Sequence, residues 1–138
     1  MSTNENLELV HKMYEALNTH NVEAHDLYWT KDMIWHGPPG WGHVYGLEAF
    51  KNEVLRPFYV AFPDYHAINT IEMVDRDMVA ATGYFTATHR GDWFGVQATG
   101  KQVKGGFSDF WRVKDGRLTE NWVMIDMLGI LRQLGVDI

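Results

Sequence analysis

Residues 107–135, FSDFWRVKDGRLTENWVMIDMLGILRQLG, contain the turn and the two strands from which the fold can be worked out. Asp115-Gly116 separates two runs of alternating polar and apolar residues. An Asp-Gly pair in such a position favours a two-residue hairpin turn, because both residues tolerate positive φ. The pair therefore predicts an antiparallel hairpin near the C-terminus, followed by a short helix over Leu128 to Leu134.

The turn also predicts which side chains share a face of this hairpin. If Lys114 lies opposite Arg117, regular pairing gives the opposite pairs Val113–Leu118, Trp111–Glu120, Asp109–Trp122 and Phe107–Met124. Asp126 follows one step further on that face, so two carboxylates are expected among aromatic and apolar residues. A buried, unpaired carboxylate is costly, which means that each is hydrogen-bonded, protonated or used for proton transfer.

The rest of the chain predicts helices first and strands afterwards. Helices are expected from a Ser2–Glu5 capping box to about Asn18, over Glu23 to Trp29, and over Leu47 to Ala61 with a bend at Pro57. Strands are expected over Met33 to His36, Tyr65 to Val74, Met78 to His89, Lys101 to Val113 and Leu118 to Asp126. This order indicates one α+β domain, residues 1–138, in which helices cover a curved antiparallel sheet and leave a pocket inside a cone.

Composition narrows the function classes. The chain has 138 residues, 46% of them hydrophobic, and a net charge of −6 with scattered Lys and Arg, which disfavours binding to nucleic acids and anionic membranes. It has no Cys and no apolar run near the length of a membrane span or signal peptide, so we expect a cytoplasmic protein. Aromatic residues make up 14%, enough to line a ligand cavity or a subunit interface as well as the core.

Several tracts together resemble one known family. They are Gly46-Leu-Glu-Ala-Phe50, Ala61-Phe-Pro-Asp64, Thr88-His-Arg-Gly91 and Asp109 to Trp122 followed by Asp126 to Gly135. In order and spacing they resemble the SnoaL-like polyketide cyclases of the nuclear-transport-factor-two-like superfamily, over roughly residues 5 to 135. The resemblance implies an α+β cone, a homodimer formed through the outer face of the sheet, and a cofactor-free enzyme. The expected reaction is an aldol-type ring closure, as in the polyketide and ester cyclases, or an isomerisation, of a small apolar or aromatic carbonyl compound. The resemblance also implies that Asp126, which matches by its place before the final helix, is the general acid/base.

Two alternatives to a catalytic Asp126 stay open at this point. Asp126 could instead cap the helix that begins near Leu128, since Asp favours that position. Asp109 is the second candidate acid/base, although it could equally hydrogen-bond a Trp indole or an Arg. His36 and His89 end strands where loops would ring the cavity mouth, and each could donate a hydrogen bond or relay a proton.

Aromatic and apolar side chains on the predicted inner face are the candidate substrate contacts: Trp35, Trp41, Phe85, Phe107, Trp111, Trp122 and Met124. We expect no cofactor and no metal, because His-Glu-x-x-His, His-x-His and Cys ligands are missing and the glycines do not form a phosphate-binding loop. Two other functions remain open: hydration or dehydration by an Asp109–Arg112–Asp126 network, as in epoxide hydrolase or dehydratase relatives, and non-catalytic small-molecule binding.

Overall fold

A single curved sheet of six strands organises the protein. The computed structural model describes residues 3–138, so the predicted capping residue Ser2 lies outside the described part. The strands are β1 (Trp29–His36), β2 (His43–Tyr45), β3 (His66–Asp75), β4 (Met78–Thr88), β5 (Gln102–Lys114) and β6 (Arg117–Ile125). They pair in the order β2-β1-β6-β5-β4-β3. The α+β fold expected from the sequence is confirmed.

The four long strands β3 to β6 form the predicted antiparallel meander. Asp115 and Gly116 have φ of 51° and 77°, which confirms the tight turn between β5 and β6. Arg76, with φ of 56°, makes the corresponding turn between β3 and β4. The boundaries of these four strands differ from the predicted ones by at most one residue.

The edge formed by β1 and β2 departs further from the prediction. β1 begins at Trp29 rather than Met33, because a 3-10 helix, Glu23–Leu27, ends earlier than the helix that we expected. β1 runs parallel to β6, although residue 29 and the segment 34–36 pair in different registers. β2, which the sequence did not predict, pairs with β1 in antiparallel fashion after the Gly-rich loop.

A β-bulge makes the side chains of β6 beyond Thr119 face the opposite way from the prediction. Val113 pairs with Leu118 as expected, but Arg112 pairs with Glu120, which leaves Thr119 as one extra residue on β6. Because side chains alternate along a strand, one inserted residue exchanges the two faces of everything beyond it. The actual pairs are Trp111–Asn121, Phe110–Trp122, Asp109–Val123, Ser108–Met124 and Phe107–Ile125.

Helices cover the inner face of the sheet. α1 (Thr3–Asn18) packs across it, and a longer helical stretch follows β2 as α2 (Leu47–Ala49), a π-helix (Phe50–Leu55) and α3 (Arg56–Ala61). Pro57 falls in the first turn of α3, where its missing N–H is tolerated, and the wider π-turns lie just before it. α4 (Met127–Gln133) closes the chain against β5.

An ion-pair cluster attaches the π-helix to the 3-10 helix. The Lys51 side chain is 2% exposed, and its Nζ lies 2.8 Å from Asp26, 3.2 Å from Glu23 and 3.0 Å from Glu48. Hydrogen bonds to these carboxylates, with Asp26 contributing most, raise the pKa of Lys51 above its ordinary value. Because the ammonium keeps its charge, this cluster fixes the helical turns that carry Phe50 and Val54 toward the sheet.

The core lies between the sheet and these helices. Its largest fully buried side chains include Trp29, Trp111, Phe62 and Phe85. Within residues 3–138, no helix combines the length and the apolar character needed to cross a membrane.

Candidate functional site

The concave side of the sheet and the helices above it enclose an aromatic cavity. Its empty volume, with the open mouth included, is about 700 Å³. Trp29 and Trp35 on β1, Phe85 on β4 and Phe107 on β5 form part of the wall, and Trp41 lies in the loop before β2. The cavity is thus suited to small molecules with a large apolar surface.

Asp109 is the carboxylate of this cavity. It lies on β5, 7% exposed, and both of its oxygens accept hydrogen bonds. The Tyr14 hydroxyl donates to Oδ2 over 2.6 Å, and Asn121 Nδ2 donates to Oδ1 over 3.2 Å. Since a carboxylate oxygen accepts about two hydrogen bonds, each oxygen keeps capacity for a proton from a bound molecule.

Burial raises the pKa of Asp109 from its ordinary value of 3.8 to about 6, while the hydrogen bonds from Tyr14 and Asn121 oppose the rise. The pKa of Tyr14 is itself raised well above its ordinary value, by burial first and by the Asp109 charge second. Tyr14 therefore stays a hydroxyl donor near neutral pH. Asp109 combines an ionised majority at pH 7 with a basicity far above that of an exposed carboxylate.

Tyr14 and Asn121 were not predicted as site residues. Tyr14 belongs to the apolar stripe of α1, and its position among aliphatic residues facing the sheet is the signal that could have identified it. Asn121 turns inward only because of the bulge at Thr119, and its amide also donates to the Phe110 carbonyl over 2.9 Å. The sequence alone carries no clear signal for that inward turn.

Asp126 does not share the cavity with Asp109. It is exposed, and it is the N-cap of α4, where its Oδ1 accepts a hydrogen bond from the Gly129 N–H over 3.0 Å. The expectation that Asp126 lies on the inner face was wrong, because the bulge reverses the facing of β6 before the strand ends. The capping alternative is confirmed.

Neither histidine candidate lines the cavity. His36 points to the outer face, where its Nε2 lies 2.6 Å from Glu120 and its Nδ1 lies 2.6 Å from Nδ1 of His43. His89 is fully buried, but its Nδ1 accepts from the Thr99 N–H over 3.2 Å and its ring packs on Phe62. The prediction that both histidines lie at the cavity mouth was wrong. His36 alternates with inward-facing Trp35 on β1 and therefore points outward, and the loop 89–101 folds around His89.

Five of the seven predicted substrate contacts line the cavity: Trp35, Trp41, Phe85, Phe107 and Trp111. Trp122 and Met124 do not, since the bulge places them on the outer face. There Trp122 stacks on His36 with ring centroids 5.3 Å apart, and Met124 is 60% exposed. The expectation that these two side chains lie on the inner face was wrong for the same reason as that for Asp126.

The charge pattern of the cavity limits what it can hold. Of the described residues that line it, none is Lys, Arg or His, and Asp109 is the ionisable carboxyl. Arg112 lies on the outer face, with its guanidinium 3.7 Å from both Asp77 and Glu120. The proposed Asp109–Arg112–Asp126 hydration network is therefore not assembled, and the geometry suits proton transfer to and from an uncharged molecule.

The fold and this buried acid define the class of protein: an α+β cone that holds one carboxyl in an aromatic cavity. The family model of the SnoaL-like polyketide cyclases matches residues 8–134. The chain belongs to this family, whose members bind small substrates.

Individual relatives agree with that assignment. The aklanonic acid methyl ester cyclase DnrD of Streptomyces peucetius is 30% identical over 94% of this chain and 90% of its own. Among solved structures, IdmH of Streptomyces antibioticus, described as a candidate polyketide cyclase, is 28% identical with a TM-score of 0.82, over 95% of this chain and 99% of its own. AclR of Streptomyces galilaeus, described as a candidate hydroxylase, is also 28% identical, with a TM-score of 0.85 over 97% and 98%.

Proposed function

We propose that the protein closes a ring in a small aromatic or polyketide-type ester by an intramolecular aldol reaction, with Asp109 as the general acid/base. The observation that carries this proposal is a buried carboxyl with a pKa of about 6 in the wall of an aromatic cavity. The ester cyclase named among the relatives supports the same reaction class. Asp109 takes the role that the sequence assigned first to Asp126.

The reaction balances with one carboxyl group. Ionised Asp109 removes a proton from the carbon between two carbonyl groups of the substrate, which produces an enolate and a protonated Asp109. The enolate carbon then attacks a second carbonyl carbon of the same molecule, so a C–C bond forms and that carbonyl oxygen becomes an alkoxide. Asp109 returns its proton to the alkoxide and is ready for the next turnover. No external oxidant or reductant is required.

Tyr14 and Asn121 position the carboxyl group and adjust its strength in this scheme. Each holds one oxygen of Asp109, which leaves the carboxylate little rotational freedom. Such pre-orientation favours reaction because the entropy of alignment is lost during folding rather than at each turnover. The two hydrogen bonds also keep the pKa of Asp109 from rising further, so the base is ionised at neutral pH.

The test compares two Asp→Asn variants on a panel of aromatic β-keto esters and activated-methylene esters. Asp109→Asn should lower kcat by at least about 10²-fold, the range typical of positioned acid/base groups. Asp126→Asn, the matched control outside the cavity, should retain wild-type kcat and KM. Thermal melting of all three proteins shows whether a loss of turnover is a loss of folding.

Equal activity of Asp109→Asn and wild type would remove Asp109 from the mechanism. If wild type bound an aromatic ester in the cavity and turned over none of the panel, non-catalytic binding would replace the cyclase proposal.

We also propose that the protein is a homodimer through the outer face of the sheet. Phe110, Met124, Ile71 and Met73 are 49–68% exposed, and the strand pairing puts all four on this face. Exposed apolar side chains clustered on one sheet face favour burial against a second surface. We keep the cytoplasmic location expected from the sequence as a further prediction, to be checked by cell fractionation.

The assembly is tested by light scattering after size-exclusion chromatography. Wild type should have about twice the mass of the chain, and Phe110→Glu should shift it to the monomer. Leu27→Glu is the matched control, since Leu27 is 65% exposed on the 3-10 helix and not on the sheet. A monomeric wild type at concentrations of tens of micromolar would refute the proposal.

A further inference from the structure

The cavity wall contains a buried hydrogen-bond donor for which the described residues provide no acceptor. Trp111 is 1% exposed and lines the cavity. Its Nε1–H has no partner among the described residues. A buried N–H without a partner destabilises the folded state, so its presence calls for a physical reason.

Three other donors of the cavity wall are already engaged. The Tyr14 hydroxyl and the Asn121 amide donate to the carboxylate itself. Trp29, another indole of the cavity wall, donates to Nδ1 of His25 over 3.0 Å. That pairing is stable near neutral pH, because burial, followed by the charge of Lys51, lowers the pKa of His25 to about 4 and keeps its ring neutral.

Trp111 is a neighbour of Asp109 along the inner face of β5. It is two residues from Asp109 on the same face of β5, and alternate residues of a strand are roughly 6.6 Å apart. A carbonyl oxygen lies about 2.4 Å from the adjacent α-carbon. With one contact of about 3 Å at each end, a carbonyl group and its α-carbon are long enough to bridge side chains that project from strand positions with such a spacing.

We propose that the Trp111 Nε1–H donates a hydrogen bond to the substrate carbonyl oxygen that becomes the enolate oxygen when Asp109 removes the α-proton. This inference rests on the proposed function and adds the group that stabilises the developing charge. A fixed, neutral N–H donor in an apolar cavity stabilises an oxyanion more than it stabilises a neutral carbonyl, and it therefore lowers the barrier. This role explains why the Trp111 N–H has no acceptor among the described residues: its acceptor is the substrate oxygen.

Tyr65 is the rival donor. Its side chain also lines the cavity, half-buried, and no hydrogen bond from its hydroxyl to the described residues is present. Because it is less buried than Trp111, water can satisfy it in the free protein. Tyr65→Phe therefore belongs in the same experiment.

The kinetic test uses Trp111→Phe, which retains an aromatic ring and removes the N–H. Loss of one oxyanion donor typically lowers kcat by about 10²–10³-fold, and we expect a loss in that range with KM changed by less than about threefold. Trp122→Phe is the matched control, since Trp122 lies on the outer face of the neighbouring strand. If Trp111→Phe does not fold, benzothienylalanine at position 111, which replaces N–H by sulfur, is used instead.

A ligand-binding test separates the hydrogen bond from packing. The indole N–H resonance of Trp111 is identified in ¹⁵N-labelled wild type by its absence from Trp111→Phe. Saturation with 2-acetylnaphthalene should move it downfield, whereas 2-isopropenylnaphthalene, which has CH₂ in place of the carbonyl oxygen, should not. Binding of both ligands is followed independently by tryptophan fluorescence.

The outcomes distinguish this inference from the proposed function. If both ligands bind and the indole proton responds equally to both, or if Trp111→Phe keeps kcat within about threefold of a turning-over wild type, the role of Trp111 is overturned while the cyclase proposal stands. A large loss in Tyr65→Phe with none in Trp111→Phe overturns it in favour of Tyr65. If neither ligand binds and wild type turns over no ester, both proposals are overturned.

Discussion

Replacing Asp109 by Asn should stabilise the folded protein at neutral and alkaline pH. Burial raises the pKa of Asp109 from 3.8 to about 6, which means that the native state holds this proton more tightly than the unfolded chain does. Between those two pKa values the native state binds more protons than the unfolded state, so the stability of wild type falls as pH rises. Each pKa unit corresponds to 1.36 kcal/mol, so the loss is about 3 kcal/mol and is complete above about pH 7.

The Asn variant avoids this cost because it has no charge to bury. Its side-chain oxygen can accept a hydrogen bond from Asn121, and its side-chain NH₂ can donate one to the Tyr14 oxygen. The side chain at position 109 therefore keeps two hydrogen bonds, although the Tyr14 hydroxyl no longer donates to it. At pH 8 we expect Asp109→Asn to exceed wild type by up to about 3 kcal/mol, or roughly 10 °C in Tm. At pH 4 the two proteins should differ little.

Urea unfolding of both proteins at pH values from 4 to 8 measures this difference directly. Titrations at other sites cancel in the comparison, because only position 109 changes. Asp126→Asn serves as the control: it replaces one good N-cap residue by another, and we expect it to lose no more than about 1 kcal/mol at any pH. The reasoning is refuted if Asp109→Asn is less stable than wild type at pH 8, or if the difference does not change with pH.

Four further outcomes follow from the same structure. In the wild-type enzyme, kcat/KM should rise with pH and level off above an apparent pKa of about 6, as Asp109 ionises; a profile flat from pH 5 to 8 would contradict its use as the base. Tyr14→Phe should move that rise of kcat/KM to higher pH, because the Tyr14 hydrogen bond lowers the pKa of Asp109. If the rise stayed at the same pH, the bond would have no such effect. The free acid of any ester substrate should bind at least about tenfold more weakly above pH 7 in competition assays, since its charge would face ionised Asp109 with no cation in the cavity wall as described; equal affinity would count against an ionised Asp109. Gly83→Ala should cost roughly 1–3 kcal/mol or more in urea unfolding, because its Cβ would lie 1.9 Å from the Ile68 carbonyl oxygen, while Gly106→Ala, with open space around it, should cost far less.

Much of the fold could be predicted because local patterns and tertiary packing agree along most of the chain. Period-two alternation marks β3 to β5, and the Asp115-Gly116 turn fixes the first pairs of the last hairpin correctly. On β5, where the alternation is regular, the inner face was predicted residue by residue, and Phe107, Asp109 and Trp111 all line the cavity. β2 was missed because three residues are too few to establish a period.

The site could be predicted only where no irregularity intervenes between the turn and the residue concerned. On β6 the apolar residues do not alternate, since Trp122, Val123, Met124 and Ile125 are consecutive. Such a run fits either facing, so the choice depends on the register alone. The register depends in turn on the bulge at Thr119, whose place no local preference reveals.

The bulge at Thr119 also gives a physical reason why the acid/base of the cavity is Asp109 rather than Asp126. Without the extra residue, Trp122 would lie opposite Asp109 on the inner face, and Asn121 would point to the outer face, away from the carboxylate. With the extra residue, Asn121 turns inward and its Nδ2 donates a hydrogen bond to Oδ1 of Asp109 over 3.2 Å. Trp122 then lies on the outer face and stacks on His36. One inserted residue thus supplies one of the two hydrogen bonds that oppose the rise in the pKa of buried Asp109, after the larger contribution of Tyr14, and it leaves Asp126 free to cap α4 in solvent.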